Sequence, residues 1–147
     1  MIKPQTRRFE AQPEVFPEVR GFVENFCADA RVSDHARSVL ILVFEELFVN
    51  TEKHGYPSTA GAAAGRPIWL TLAFTQEGIE AVYEDAAPAY NPFAKVTTPD
   101  YSAPPEAWRV GGWGIPLIIS LTRDLRYQRA GNRNRISFTI PIERPAG

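Results

Sequence analysis

Two very short turns constrain this chain more than any other feature. Residues 67 to 75 and 78 to 85 are rich in β-branched and aromatic residues, and only a Gln-Glu-Gly turn joins them. Residues 124 to 130 and 135 to 142 read as a closing hairpin around Gly131-Asn132. Connections this tight join antiparallel neighbours, because a parallel crossover needs a dozen residues or more. Two hairpins are therefore expected. The regular strand–helix alternation of a doubly wound sheet is excluded.

Helices fill the first third. A short strand over Thr6 to Ala11 precedes a segment, Pro13 to Asp29, with Val15, Phe16, Val19, Phe22, Val23 and Phe26 on one side. Ser33 is a good N-cap, with Asp34 in the first turn. The helix that it opens is predicted to run to about His54, with Leu40, Val43, Phe44 and Leu47 as its core stripe. Gly55 would end it in a left-handed cap. A small-residue loop, PSTAGAAAGR, leads to the first hairpin. Between the hairpins lies a proline-rich stretch from Ala86 to Arg109, long enough to be a lid or binding loop. A third helix follows from Ile115 to about Thr122.

The order β-α-α-β-β-lid-α-β-β predicts an α+β fold: a two-layer sandwich with a mixed, mostly antiparallel sheet covered on one face by helices. We expect one domain over residues 1–147, with a lid at about 94–110. At 147 residues the chain can bury a sizeable core without disulfides, and with one cysteine it can form none internally. The net charge of −1 gives no electrostatic case for nucleic acid. No apolar run approaches the ~20 residues of a membrane span, and the N-terminus has no secretory h-region, so a cytoplasmic protein is expected. The two histidines form no zinc spacing, and there is no GxxxxGKS/T loop.

Three stretches carry polar residues where packing alone would not put them. In EELFVNTEKHGY, Glu46 and Asn50 share a helical face at the rim of the core stripe. A carboxamide oxygen there suits Mg²⁺ and a carboxylate can take a proton from a nucleophile. Lys53 and His54, a turn further on, bring positive charge toward phosphates. A solvated helix edge explains the same residues. In YEDAAPAYNPF, Asp85 ends a strand and can accept from an exocyclic amine, with Ala86 and Ala87 small enough for a flat ring to approach. A turn-initiating Asp is the plainer reading. In RVGGWGIPLI, glycines before a helix start offer N–H groups to a phosphate, or simply make a turn.

Together and in this order, the three stretches resemble the GHKL (Bergerat-fold) ATPases, and within them the bacterial anti-sigma-factor serine/threonine kinases. EELFVNTEKHGY looks like the N box, EDAAPAYNPF like the adenine motif, TTPDYSAPPEAWRVGGWGIPLI like the lid and glycine motif, and RNRISFTI like the closing strand. The resemblance implies that Asn50 ligates Mg²⁺ and that Glu46 is the catalytic base. It implies that Asp85 holds the adenine amine, and that Gly112 and Gly114 contact phosphates through their backbone. Lys53 and His54 would line the phosphate side, and Arg109 would reach the terminal phosphate. Ala87 stands where the family usually has Gly, and Thr51 where it usually has Ala.

The implied activity is transfer of the ATP γ-phosphoryl group to a Ser or Thr of a STAS-domain anti-anti-sigma protein, together with sequestration of a sigma factor, in a family that commonly dimerises. Two alternatives remain: a regulator that binds ATP without turning it over, and a histidine-kinase-type ATPase module whose phosphoacceptor hairpin is supplied in trans.

Overall fold

The computed structural model describes residues 3–57, 65–94 and 114–142. Its five strands are β1 (Gln5–Glu10), β2 (Pro67–Thr75), β3 (Gly78–Asp85), β4 (Arg123–Ala130) and β5 (Arg133–Pro141). They form one sheet in the order β1-β2-β3-β5-β4, antiparallel at every pairing. The expected two-layer α+β fold is the observed one, with a sheet antiparallel throughout its described strands.

The β2–β3 hairpin has the boundaries read from the sequence. Its turn works because Gly78 has φ 139°, and a Cβ there would lie 2.2 Å from the Ile140 carbonyl oxygen. The β4–β5 hairpin is tighter than expected, since Arg133 already pairs with Ala130 across Gly131-Asn132. Gly131, at φ 61°, makes that two-residue turn possible.

Two long helices cover one face of the sheet. A 3₁₀ turn at Pro13–Val15 leads into α1 (Phe16–Ala30), and α2 spans Asp34–Asn50. Ser33 caps α2 as expected, its Oγ accepting from the Ala36 N–H at 3.1 Å. The predicted stripe of Leu40, Val43, Phe44 and Leu47 is fully buried. Burying each such side chain stabilises by about 1.5–3 kcal/mol. Phe44 docks α2 on the sheet, edge-on to Phe138 of β5 at 5.8 Å and 6.5 Å from the Tyr83 ring of β3. Alternate residues of β3 (Ile79, Ala81, Tyr83 and Asp85) point into that layer. The same alternation that builds the core thus delivers Asp85, at the end of β3, to the end of α2.

The short helix α3 (Gly114–Leu121) starts one residue earlier than the sequence reading, and Pro116 sits in its first turn. Ile118 is its buried anchor. The expected lid lies almost wholly outside the described residues.

Candidate functional site

The helix read as running to His54 changes character after Asn50. Residues Thr51–Gly55 form a π-helical turn, closed by the Tyr56 N–H on the Thr51 carbonyl at 3.4 Å. Such widened turns recur at functional sites. Here it faces Thr51 inward. The Thr51 hydroxyl donates to Asp85 Oδ2 at 3.0 Å and accepts from the Tyr83 hydroxyl at 2.6 Å. Gly55 is not a left-handed cap, as its φ is not positive. It is needed for close approach instead: a Cβ there would sit 3.2 Å from Thr51 Cγ2 and 3.5 Å from Ala87 Cβ.

Asp85 is the convergence point. It is 7% exposed, and among the described residues no cation pairs with it. Donors take the place of a counter-charge. Oδ1 accepts from the Ala87 N–H at 3.2 Å and from Asn134 Nδ2 at 2.8 Å, while Oδ2 accepts from Thr51. A carboxylate offers about four acceptor positions, so one is left, on Oδ2. Burial pushes the Tyr83 hydroxyl well above its ordinary range, which keeps it a protonated donor to Thr51.

Asp85 lines a hollow together with Asn50 and Thr51 of the helix end, the apolar Leu47 and Ile136, and Asn134. Pro88, Tyr90 and Pro92 form the outer wall. The free space is about 20 Å³, room for one or two waters. A planar ring needs more room than this. The chemistry of the lining suits such a ring, with aliphatic side chains for its faces and one open carboxylate acceptor for an amine on its edge.

A hydroxyl and a guanidinium secure the residues after Asp85. Tyr56 donates to the Pro67 carbonyl and accepts from the Ala86 N–H at 2.8 Å. Burial raises its hydroxyl to about 12, so it stays a neutral bridge. Ala87 is 1% exposed and its φ is not positive, so its methyl sits there without backbone strain. Its carbonyl accepts from Arg129 Nη1 at 2.8 Å.

The other sequence-predicted residues fall into three groups. Glu46, half-buried, lies against the start of α3: a Cβ on Gly114 would come within 2.1 Å of Glu46 Oε2. Lys53 and His54 are exposed on the π turn and do not line the hollow. Arg109 and Gly112 lie outside the described residues. Asn134, Thr51 and Tyr83 were not read as site residues from the sequence. An asparagine inside an otherwise β-prone strand was the one available signal, since Asn is depleted in strands.

No cluster of three His, Cys, Asp or Glu side chains able to hold a metal occurs among the described residues. A Mg²⁺ ion kept by one carboxamide and by substrate phosphates needs no such cluster, and Asn50 fits that part. No helix of the described residues is long and apolar enough to cross a membrane.

An antiparallel α+β sandwich with this polar hollow at the end of its second helix has the architecture of a GHKL-type ATPase domain. The family model for the histidine kinase-like ATPase domain matches residues 9–140, and the chain belongs to that family. Among solved structures it is similar to "The crystal structure of the RsbU and RsbW domains of Rv1364c from Mycobacterium tuberculosis", with a TM-score of 0.64 and 16% identity. That match covers 99% of this chain and 34% of the other, so the chain spans about a third of that protein's length. At this identity the likeness is one of fold. A search of curated proteins gave no match.

Proposed function

We propose that this chain binds Mg-ATP in the hollow and passes the γ-phosphoryl group to a Ser or Thr hydroxyl of a STAS-type regulatory protein, acting as a switch on a sigma factor. The observation that carries the reading is that Asn50 and Asp85, 35 positions apart, line one hollow. Asp85 takes the adenine amine on its open Oδ2 position. Asn50 holds the Mg²⁺, whose charge offsets that of the phosphates. Glu46, one turn before Asn50 on the same face, accepts the proton of the attacking hydroxyl. Gly112, Gly114 and Arg109 serve the phosphates. Such a transfer rests mostly on positioning and charge neutralisation.

Titration calorimetry of the wild type, Asn50→Ala and Glu46→Gln with ATP, with and without Mg²⁺, tests the binding half. Asn50→Ala should lose the Mg²⁺-dependent part of the affinity while melting at the wild-type temperature, because a half-exposed rim amide adds little to the core. Unchanged Mg-ATP affinity would remove Asn50 from its role. Glu46→Gln should bind ATP like the wild type and fail to label a STAS partner from [γ-³²P]ATP in a single turnover. Full labelling by that variant would remove Glu46 as the base. A wild type that binds Mg-ATP yet labels no STAS protein would favour a non-catalytic regulator.

A further inference from the structure

Asn134 makes more side-chain hydrogen bonds than any other residue of the hollow. It stands on β5 directly opposite Asp85 of β3 and is 5% exposed. Its Oδ1 accepts from the Tyr127 hydroxyl at 2.6 Å and from the Tyr90 N–H at 3.1 Å. Its Nδ2 donates to Asp85 Oδ1 at 2.8 Å, to the Pro88 carbonyl at 2.9 Å and to the Ala87 carbonyl at 3.2 Å. These partners fix which way the amide points. Turned over, it would set an oxygen against a carboxylate and two carbonyls, and an NH₂ against two donors.

We infer that Asn134 is the specificity-determining residue of the hollow: it holds Asp85 in a state that accepts one amine and no carbonyl. The inference rests on the nucleotide-binding reading above. Asn134 and Ala87 fill both acceptor positions of Oδ1, and Thr51 fills one of Oδ2. A single acceptor remains, in a buried place where an unmatched polar group is costly. A purine with a 6-amino group can satisfy it. One with a 6-oxo group sets a lone pair against it and leaves both oxygens without a partner.

Asn134 has a second effect that must be separated from the first. Two of its five partners (the Pro88 carbonyl and the Tyr90 N–H) belong to the outer wall, and a third, the Ala87 carbonyl, directly precedes it. Removing its side chain loosens that wall for any nucleotide. Absolute affinities therefore mix two effects, whereas the ratio of ATP to GTP affinity cancels the loosening common to both nucleotides.

Calorimetry on the full chain with Mg-ATP and Mg-GTP, for the wild type and Asn134→Ala, makes the test, with thermal melting of both. The wild type should prefer ATP, and Asn134→Ala should narrow the ATP-to-GTP ratio by about tenfold or more, on the scale at which hydrogen-bonding sites discriminate. If Asn134→Ala melts below the assay temperature, Tyr127→Phe takes its place. That change removes one of the two donors to Oδ1 and leaves the Tyr90 N–H, so it loosens the amide orientation and should narrow the ratio by about threefold, a partial loss of the same discrimination. A folded variant with the wild-type ratio overturns the assignment. A wild type without Mg-ATP affinity instead defeats the nucleotide reading itself, so the two failures are told apart.

Discussion

Thr51 carries two buried hydrogen bonds on one hydroxyl, and both have a fixed direction. Tyr83 donates to it, and it donates to Asp85. An alanine there would leave a tyrosine hydroxyl and a carboxylate oxygen without the partner that each now has. Orphaned groups of that kind cost about 1–3 kcal/mol. Thr51→Val keeps the shape and removes the hydroxyl, so urea denaturation should show a loss in that range. Tyr83→Phe added to Thr51→Val removes the orphaned donor and should recover part of the loss. The double variant should be more stable than the sum of the single changes allows. Strict additivity would mean that the two hydroxyls do not depend on each other.

At the scale of elements, what matters is how α3 meets α2. A Cβ on Gly114 would lie 2.1 Å from Glu46 Oε2 and 2.9 Å from its Cδ, so the first residue of α3 and the proposed base compete for one place. The atoms met are the far end of a flexible side chain, which can swing aside while the helices hold. Gly114→Ala should therefore leave the melting temperature within a few degrees of wild type, helped by alanine's better helix propensity. Phosphoryl transfer should fall at least tenfold, about 1.4 kcal/mol or more of transition-state stabilisation, with Mg-ATP binding retained. A large drop in melting temperature would show that α3 moved rather than Glu46. Local chemistry made the elements themselves legible in the sequence. The β2–β3 hairpin declared both its ends through its short Gln-Glu-Gly turn, and the α2 stripe declared its buried face. Asn50 and Asp85, each ordinary when taken alone, were singled out through the resemblance of their motifs, and the structure brings both to one hollow. What stayed hidden depends on partners far along the chain. The π turn follows Thr51 reaching a carboxylate 34 residues on, and Asn134 acts on one 49 residues back. Gly55 was read as a left-handed cap, whereas what presses on it is the inward-turned Thr51, whose Cγ2 would lie 3.2 Å from a Cβ there, with Ala87 in ordinary contact at 3.5 Å.

Across the whole molecule, the lone thiol measures how firmly the helical layer closes on the sheet. Cys27 is 2% exposed in α1, in the same core cluster as Phe26, Phe44 and the inward residues of the sheet. Burial pushes its thiol up to about 11, against the smaller opposing pull of Arg37. Thiol reagents attack the thiolate, so the folded chain at pH 8 presents almost none of the reactive form and little access to it. Labelling by 5,5′-dithiobis(2-nitrobenzoate) should therefore wait on opening of the core, and its rate should rise with urea as global unfolding does. The same shift sets a direction with pH. A pKa raised by folding means that the unfolded chain gives up its proton first. Stability is then level below about pH 9 and falls as pH climbs toward 11, by up to about 1.4 kcal/mol per pH unit. Cys27→Ser, which has no thiol to ionise, should lose that part of the alkaline decline. Prompt, urea-independent labelling of the native chain would place Cys27 at a surface and α1 off the sheet, and an alkaline decline unchanged in Cys27→Ser would assign it to other groups.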